Sequence, residues 1–220
     1  MAARPNLLFR EDLPPKPVQK RSVEKQLRIK TAALAIFGES GYASASIGEI
    51  AKRAGLAVGG VYLHFRSKRQ LLLVLMDELL EGLSRLNLSP NFTGSTRNAI
   101  RELLSGAFSQ DLRYLGAYRA WKEALLSDPE LARQHREIQA WTTQRVSLLF
   151  GLLQEMPNAR QGVDIPGMAQ AMDSFFWNLL SEAAMLSKSE LSQRIETAAH
   201  LIYHGLFRDA GKRDSSSRKE

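Results

Sequence analysis

Two histidines, His200 and His204, stand four residues apart with Glu196 one helical turn earlier, a spacing that can hold a metal ion from one helix face. No other cluster of metal-ligating residues accompanies them, so a pair on a helix surface or at an interface is the default reading. Covalent chemistry has less support. The chain has no Gly-x-Ser-x-Gly elbow, no phosphate loop and no dinucleotide fingerprint, and its four histidines are too scattered to suggest a triad. Cysteine is absent, which removes a thiol nucleophile, a disulfide scaffold and a thiol redox switch, and fits a reducing cytoplasm. The expectation is a protein that is not an enzyme, with no metal and no cofactor.

A second group of residues could bind rather than react. Tyr114, Tyr118 and Trp121 recur at i, i+4 and i+7 on one helix face, and with Phe108 and Trp141 they are candidates to line a small-molecule pocket. An aromatic stripe more often fills a core. A sensor pocket is itself mostly apolar with few polar groups, however, and the sequence does not name the ligand.

The charges point to a third kind of partner. Residues 1–70 carry 13 Lys and Arg against 5 Asp and Glu, a net of +8, whereas residues 71–220 carry 17 against 18, a net of −1. A basic excess confined to one segment is the footprint of a module that meets a polyanion, the alternative being a solvated basic face. No targeting signal is visible, since the first 20 residues hold charges and four prolines where a secretory signal needs an apolar run. The longest apolar stretch, Leu71 to Met76, is far too short to cross a bilayer. A cytoplasmic protein with no membrane partner is expected.

The elements that must position these residues all read as helices. Residues 1–20 form a Pro-rich, charged and disordered basic arm in which Arg4, Arg10, Lys16, Lys20 and Arg21 could touch phosphates. A helical pattern runs from about Ser22, with Leu27, Thr31, Leu34 and Phe37 at helical spacing, and stops at Gly41. Ser46-x-x-Glu49 is a capping box opening a short helix that Gly55 ends. A third helix spans about Val58 to Phe65, and Ser67-x-x-Gln70 caps a long one reaching about Asn87. Further helices follow to about Gln110, Leu126, Met156, Leu186 and Phe207, before a disordered tail over 209–220. No β-branched run alternates at period two, so the fold is all-α, with one helical domain expected over residues 21–66 and a second over 67–208.

Two short helices with a tight Gly turn inside a basic segment fit a helix-turn-helix, whose second helix enters the major groove. The residues sharpen this. Phe37, Gly41-Tyr42, Ser46-Ile47, Glu49-Ile50-Ala51, Ala54-Gly55-Leu56, Tyr62, His64-Phe65, Ser67-Lys68 and Leu71 together closely resemble the DNA-binding domain of the TetR family of bacterial repressors. The resemblance covers about residues 22–73; the remainder agrees only in length and helical character. It implies that Ser46 bonds a phosphate by hydroxyl or amide, that Tyr62 and His64 face the backbone or groove, and that Lys68 binds phosphate.

The sequence departs from the family where bases are usually read. Val58, Gly59, Gly60 and Leu63 occupy the exposed positions of the third helix, Gly48 replaces a helix-2 side chain, and Ala57 replaces the usual polar cap. None can donate a side-chain hydrogen bond to a base edge. Val58 and Leu63 could instead pack on thymine methyls while the glycines let the backbone approach the groove floor. The resemblance further implies a ligand pocket among the middle helices and a dimer interface on the last two, where Met172, Phe175, Leu179, Ile195, Ala198 and Ile202 form apolar stripes suited to an intermolecular four-helix bundle. The stripes could equally pack inside one subunit. The expected function is a ligand-responsive regulator: a homodimer on a palindromic double-stranded DNA operator, most often a repressor, released by a small apolar or aromatic effector. A hydrophobe carrier fits the charge segregation poorly, and an architectural DNA-binding protein does not explain the large near-neutral second half.

Overall fold

The computed structural model describes residues 3–15, 18–86 and 95–208, apart from the side chains of 99, 103, 105 and 107–110. Within them the chain forms nine α-helices: α1 (Lys20–Ser44), α2 (Ile47–Ala54), α3 (Val58–Tyr62), α4 (Lys68–Ser84), α5 (Thr96–Asp111), α6 (Leu115–Ala124), α7 (Pro129–Gln154), α8 (Ile165–Ala183) and α9 (Lys188–Leu206), with a 3₁₀ turn at Leu112–Tyr114. No strand occurs among the described residues; a lone antiparallel bridge joins Ala159 to Phe207.

The helix ends follow from local chemistry. At α2, the Ser46 hydroxyl accepts from the Glu49 amide while the Glu49 carboxylate accepts from the Ser46 amide, and Gly55 closes the helix in the left-handed region at φ 63°. Asp128 caps α7 by accepting from the amides of Glu130 and Leu131, with Pro129 at the first helical position. Ser187 and Glu190 form a capping box that starts α9. The third helix is shorter than expected: it ends at Tyr62 rather than Phe65, for it has two glycines and no side-chain cap at Ala57. The first helix does break at Gly41 (φ 77°, ψ −175°), but helical turns resume to Ser44.

α4 is the strut of the molecule. Leu71, Leu72, Leu73, Leu75, Met76, Leu79 and Leu80 are all fully buried, so the helix is apolar on several faces and packs into both halves of the chain. Each such side chain contributes about 1.5–3 kcal/mol of burial.

The N-terminal segment corrects the expectation of a disordered arm. Residues 3–15 lie along α4, where Leu7 is buried, Arg4 pairs with Asp77 at 2.6 Å, and Glu11 and Asp12 pair with Arg69 and Arg66 at 2.6 and 3.2 Å. One apolar anchor and four ion pairs to residues more than fifty positions away hold it, the fourth between Arg4 and Glu81 at 3.3 Å. Nothing in the local composition announces those partners. Lys16 and the tail over 209–220 lie outside the described residues.

The apolar stripes of the last two helices are divided. Leu179, Ala198 and Ile202 are buried within the single chain, so they do not offer themselves to a partner; Met172, Phe175 and Ile195 are half-buried. The correction has a simple cause: α8 turns one side toward α6 and α7, α9 turns one toward α5 and α7, and the i, i+4 pair Ala198 and Ile202 lies on that packed side of α9.

Candidate nucleic-acid interface and ligand cavity

α3 sits on the body through Val61, which is fully buried, and through Phe65 just after the helix. The positions around these anchors turn outward: Val58, Tyr62 and Leu63 are exposed, Leu63 most of all at 76%. A Cβ added at Gly59 would meet nothing within 4 Å, and one at Gly60 would touch only the Leu56 Cβ at 4.0 Å. The two glycines are therefore not required by packing within the chain. The result is a low, apolar ridge with a phenol at its end.

His64 is partly buried, and both desolvation and the neighbouring Lys25 charge lower its pKa. That coupling brings Lys25, near the start of α1, into electrostatic reach of His64, just beyond the end of this ridge. Nothing in the sequence near Lys25 signals this, because it depends on how distant segments pack.

The two residues expected to bind phosphate through their own donors are already engaged. The Ser46 amide and hydroxyl both donate to the same Glu49 oxygen, at 3.0 and 2.8 Å. Lys68 is the larger correction. Its ammonium donates to the carbonyls of Tyr42, Ala43 and Ala45 at 2.6, 3.3 and 2.7 Å and lies 4.5 Å over the Tyr42 ring. Desolvation lowers its pKa, with the Glu123 charge opposing. The reason is the C-terminal end of α1, whose orphan carbonyls and negative dipole end attract a cation. Lys68 thus ties the start of α4 to the end of α1.

Most other cations of the basic segment are occupied too. Lys30 pairs with Glu78, Arg53 with Glu39, and Arg69 with both Glu11 and Asp128. Arg28 donates to the carbonyls of Ala54 and Gly55, bracing the turn that leads into α3. Among the described residues this leaves Arg10, Lys20, Arg21, Lys25 and Lys52 without an ion pair. The charge available to a polyanion is accordingly smaller than the sequence total, and four of these five cations lie on α1 and α2.

α6 joins this domain to the rest. Gly116 lies directly against the backbone of α1: a Cβ there would come within 2.9 Å of the Gly38 amide nitrogen and 2.8 Å of the Leu34 carbonyl carbon. Arg119 donates to the carbonyls of Gly38 and Glu39 at 2.6 and 3.2 Å, and the Glu123 carboxylate accepts from the amides of Tyr42 and Ala43 just beyond the Gly41 break. A carboxylate and a guanidinium from one helix therefore grip the two sides of the kink in α1.

On its other side α6 lines a cavity of about 310 Å³ among α4, α5, α7, α8 and α9. Of the expected aromatic residues, Tyr118 and Trp141 reach its wall. Trp121 is buried next to a separate cleft, with its indole nitrogen donating to His135 Nδ1 at 3.3 Å, and Tyr114 lines neither space. The side chain of Phe108 lies outside the described residues. Trp177 and Phe150 complete much of the apolar lining.

The polar groups in the wall were not anticipated. Asp111 is buried and accepts from the Tyr118 hydroxyl at 2.9 Å; desolvation pushes its carboxyl up to about 7, against the lowering effect of that bond. Asp173 is buried and accepts from the hydroxyls of Thr142 and Thr143 at 3.1 and 2.9 Å; desolvation pushes it up to about 6. Arg145 donates to the carbonyls of Leu83 and Leu86 at 2.9 and 3.4 Å and stacks over Trp141.

At the distal end, His200 Nδ1 accepts from an Arg97 guanidinium nitrogen at 3.1 Å and its ring lies 4.1 Å from that of His204. Glu196 faces Arg101 at 4.0 Å. No group of three His, Asp or Glu able to hold a metal occurs among the described residues. No helix among them is long and apolar enough to cross a membrane.

The chain is similar to known proteins in its N-terminal sequence and in its fold. Residues 29–75 match the model of the bacterial regulatory proteins of the tetR family. The HTH-type transcriptional regulator AcrR of Shigella flexneri is 32% identical over 88 residues, a match that covers 39% of this chain and spans 41% of that protein. The structure of the fatty acid degradation regulator FadR from Bacillus halodurans superposes with a TM-score of 0.64 at 21% identity, covering 81% of this chain and 94% of FadR. The SmeT–triclosan complex gives a TM-score of 0.62 at 19% identity, covering 89% of this chain and 98% of SmeT. At such identities the structural likeness speaks to the fold, an N-terminal helix-turn-helix followed by a helical domain.

Proposed function

We propose, from the match of residues 29–75 to the bacterial regulatory proteins of the tetR family, that the chain is a member of that family and a ligand-released transcriptional repressor acting as a homodimer on a palindromic or pseudo-palindromic operator. The observation that carries this reading is α6, which grips the kink in α1 with Arg119 and Glu123 while its Tyr118 lines the cavity. A molecule that shifts α6 from the cavity side acts on the helix that positions α2 and α3. A small apolar or aromatic effector suits the lining, and the triclosan bound by SmeT is of that character.

On the DNA side, two copies of α3 enter successive major grooves, as two-fold symmetry requires of matching half-sites. Val58 and Leu63 supply apolar contact to thymine methyls, and the open space at Gly59 and Gly60 lets the backbone approach the bases. Lys20, Arg21, Lys25 and Lys52 are assigned the phosphates. Eight such contacts in a dimer give a log–log salt slope of about −7.

The test is a gel shift on the DNA upstream of the chain's own gene, titrated with salt beside scrambled DNA of the same length. Preference for the upstream fragment by a factor of roughly 10³ or more supports the reading. Equal affinity for both fragments removes it.

A further inference from the structure

The cavity wall holds an imbalance that an apolar pocket does not need. Asp111 and Asp173 are 7% and 5% exposed, both line the cavity, and among the described residues both are met only by hydroxyls: Tyr118 for one, Thr142 and Thr143 for the other. Neither takes part in an ion pair among the described residues. Asp111 is bonded to the Tyr118 hydroxyl and the charge of Asp173 also acts on that phenol, so both acids bear on one group of the cavity wall. A buried carboxylate without a counter-charge costs several kcal/mol unless it is protonated or paired. An amide in either place would keep the hydroxyl contacts without that cost.

The cation that lines the same cavity does not answer them. Arg145 is turned to the carbonyls at the end of α4 and to the Trp141 face, and neither acid enters the causes of its lowered pKa, which is desolvation alone. Glu102, the remaining charged lining residue, is exposed at the rim and adds negative charge. The cavity wall thus holds two acids and a phenol, and shares its lining with the rings of Trp141, Trp177 and Phe150. Aromatic faces attract cations, most strongly where water is excluded.

We propose that the cavity takes a small organic cation, a protonated amine on an apolar or aromatic body, its ammonium held by Asp111 and Asp173 beside the Tyr118 hydroxyl and its body against the indole rings. This rests on the reading of the cavity as the effector site and narrows it to one chemical class. The raised carboxyl pKa values fit a site in which the cation, when it arrives, displaces protons.

The experiment compares three probes of one shape by calorimetry at neutral pH: naphthylmethylamine, naphthylmethanol and naphthoic acid. The amine is expected to bind roughly 10- to 100-fold tighter than the alcohol, the worth of a charge-assisted contact. In Asp111→Asn/Asp173→Asn that preference disappears while the alcohol keeps its affinity, with a thermal melt confirming that the variant is folded. Equal binding of amine and alcohol by the unaltered protein overturns the cation but leaves the effector cavity standing. Tightest binding of the acid overturns it in favour of Arg145, and survival of the amine preference in the double variant overturns the assignment to the two carboxylates. Binding of none of the three overturns both the cation and the effector cavity.

Discussion

Replacing Lys68 by Met separates two roles that the same residue could have. Methionine keeps an unbranched stem against Tyr42 and removes the ammonium, leaving the carbonyls of Tyr42, Ala43 and Ala45 without their donor. Hydrogen bonds to a charged group are nominally worth about 1.5–3 kcal/mol each. The site is partly exposed and water can replace some of the loss, so the three together, with the cation–π contact, are expected to cost about 2–3 kcal/mol. In a chain of this size that lowers Tm by roughly 5–10 °C. The assay pairs a thermal melt with operator binding measured across a salt series. A structural Lys68 predicts a lower Tm and an unchanged salt slope once affinity is measured on folded protein. A phosphate ligand predicts the reverse: Tm unaltered, and a slope reduced by about 0.9 for each half-site. The second result would refute the reasoning that the end of α1 has claimed this lysine.

Other predictions concern the cavity, the reading helix and the domain junction. In Asp111 the folded-state carboxyl titrates at about 7 against an ordinary value of 3.8, so the unfolded chain releases its proton first and stability falls as pH rises between those values. Asp111→Asn should therefore raise Tm at pH values above 7, by the equivalent of about 4 kcal/mol at most, with the gain shrinking toward acid pH; a gain that is independent of pH would contradict the burial argument. Gly60→Gln should leave Tm within a few degrees, since the added side chain meets open space, yet abolish or redirect operator choice by filling the gap between α3 and the groove. Wild-type affinity and preference in a competition gel shift would end the close-approach idea. Gly116→Ala drives a methyl into the α1 backbone and should cost about 1–3 kcal/mol or more by overpacking, seen as a lower Tm and as weakened DNA binding. An unchanged melt would mean that α6 does not bear on α1 as tightly as described.

Much of the architecture can be read from the sequence because it is written in local chemistry. The Ser46–Glu49 box, the left-handed Gly55 and the Asp128-Pro129 cap each fix a helix end from residues within one turn, and the structure has all three. What escapes is settled between distant segments. Lys68 has the same neighbours in sequence whether it meets a phosphate or the end of α1, and only the crossing of α1 and α4 decides. Leu7 and Arg4 look like part of a solvated arm until Asp77, seventy residues away, is brought beside them. The stripe of Tyr114, Tyr118 and Trp121 is real, but the helix starts anew at Leu115 after a 3₁₀ turn, so Tyr114 lies outside the α6 register and the three do not share one cavity. Asp173 did leave a signal: an acid inside the apolar run of α8, among Ala171, Met172, Phe175 and Phe176, is costly unless something answers it.

The most direct test of the whole account is a footprint of the full-length protein on the DNA upstream of its own gene, repeated with increasing naphthylmethylamine. The account predicts protection of two matching half-sites about one helical turn apart, lost as the amine is added and restored by Asp111→Asn/Asp173→Asn at the same amine concentration. A single unpaired half-site occupied by monomer at full affinity, or uniform protection along the fragment, would contradict it.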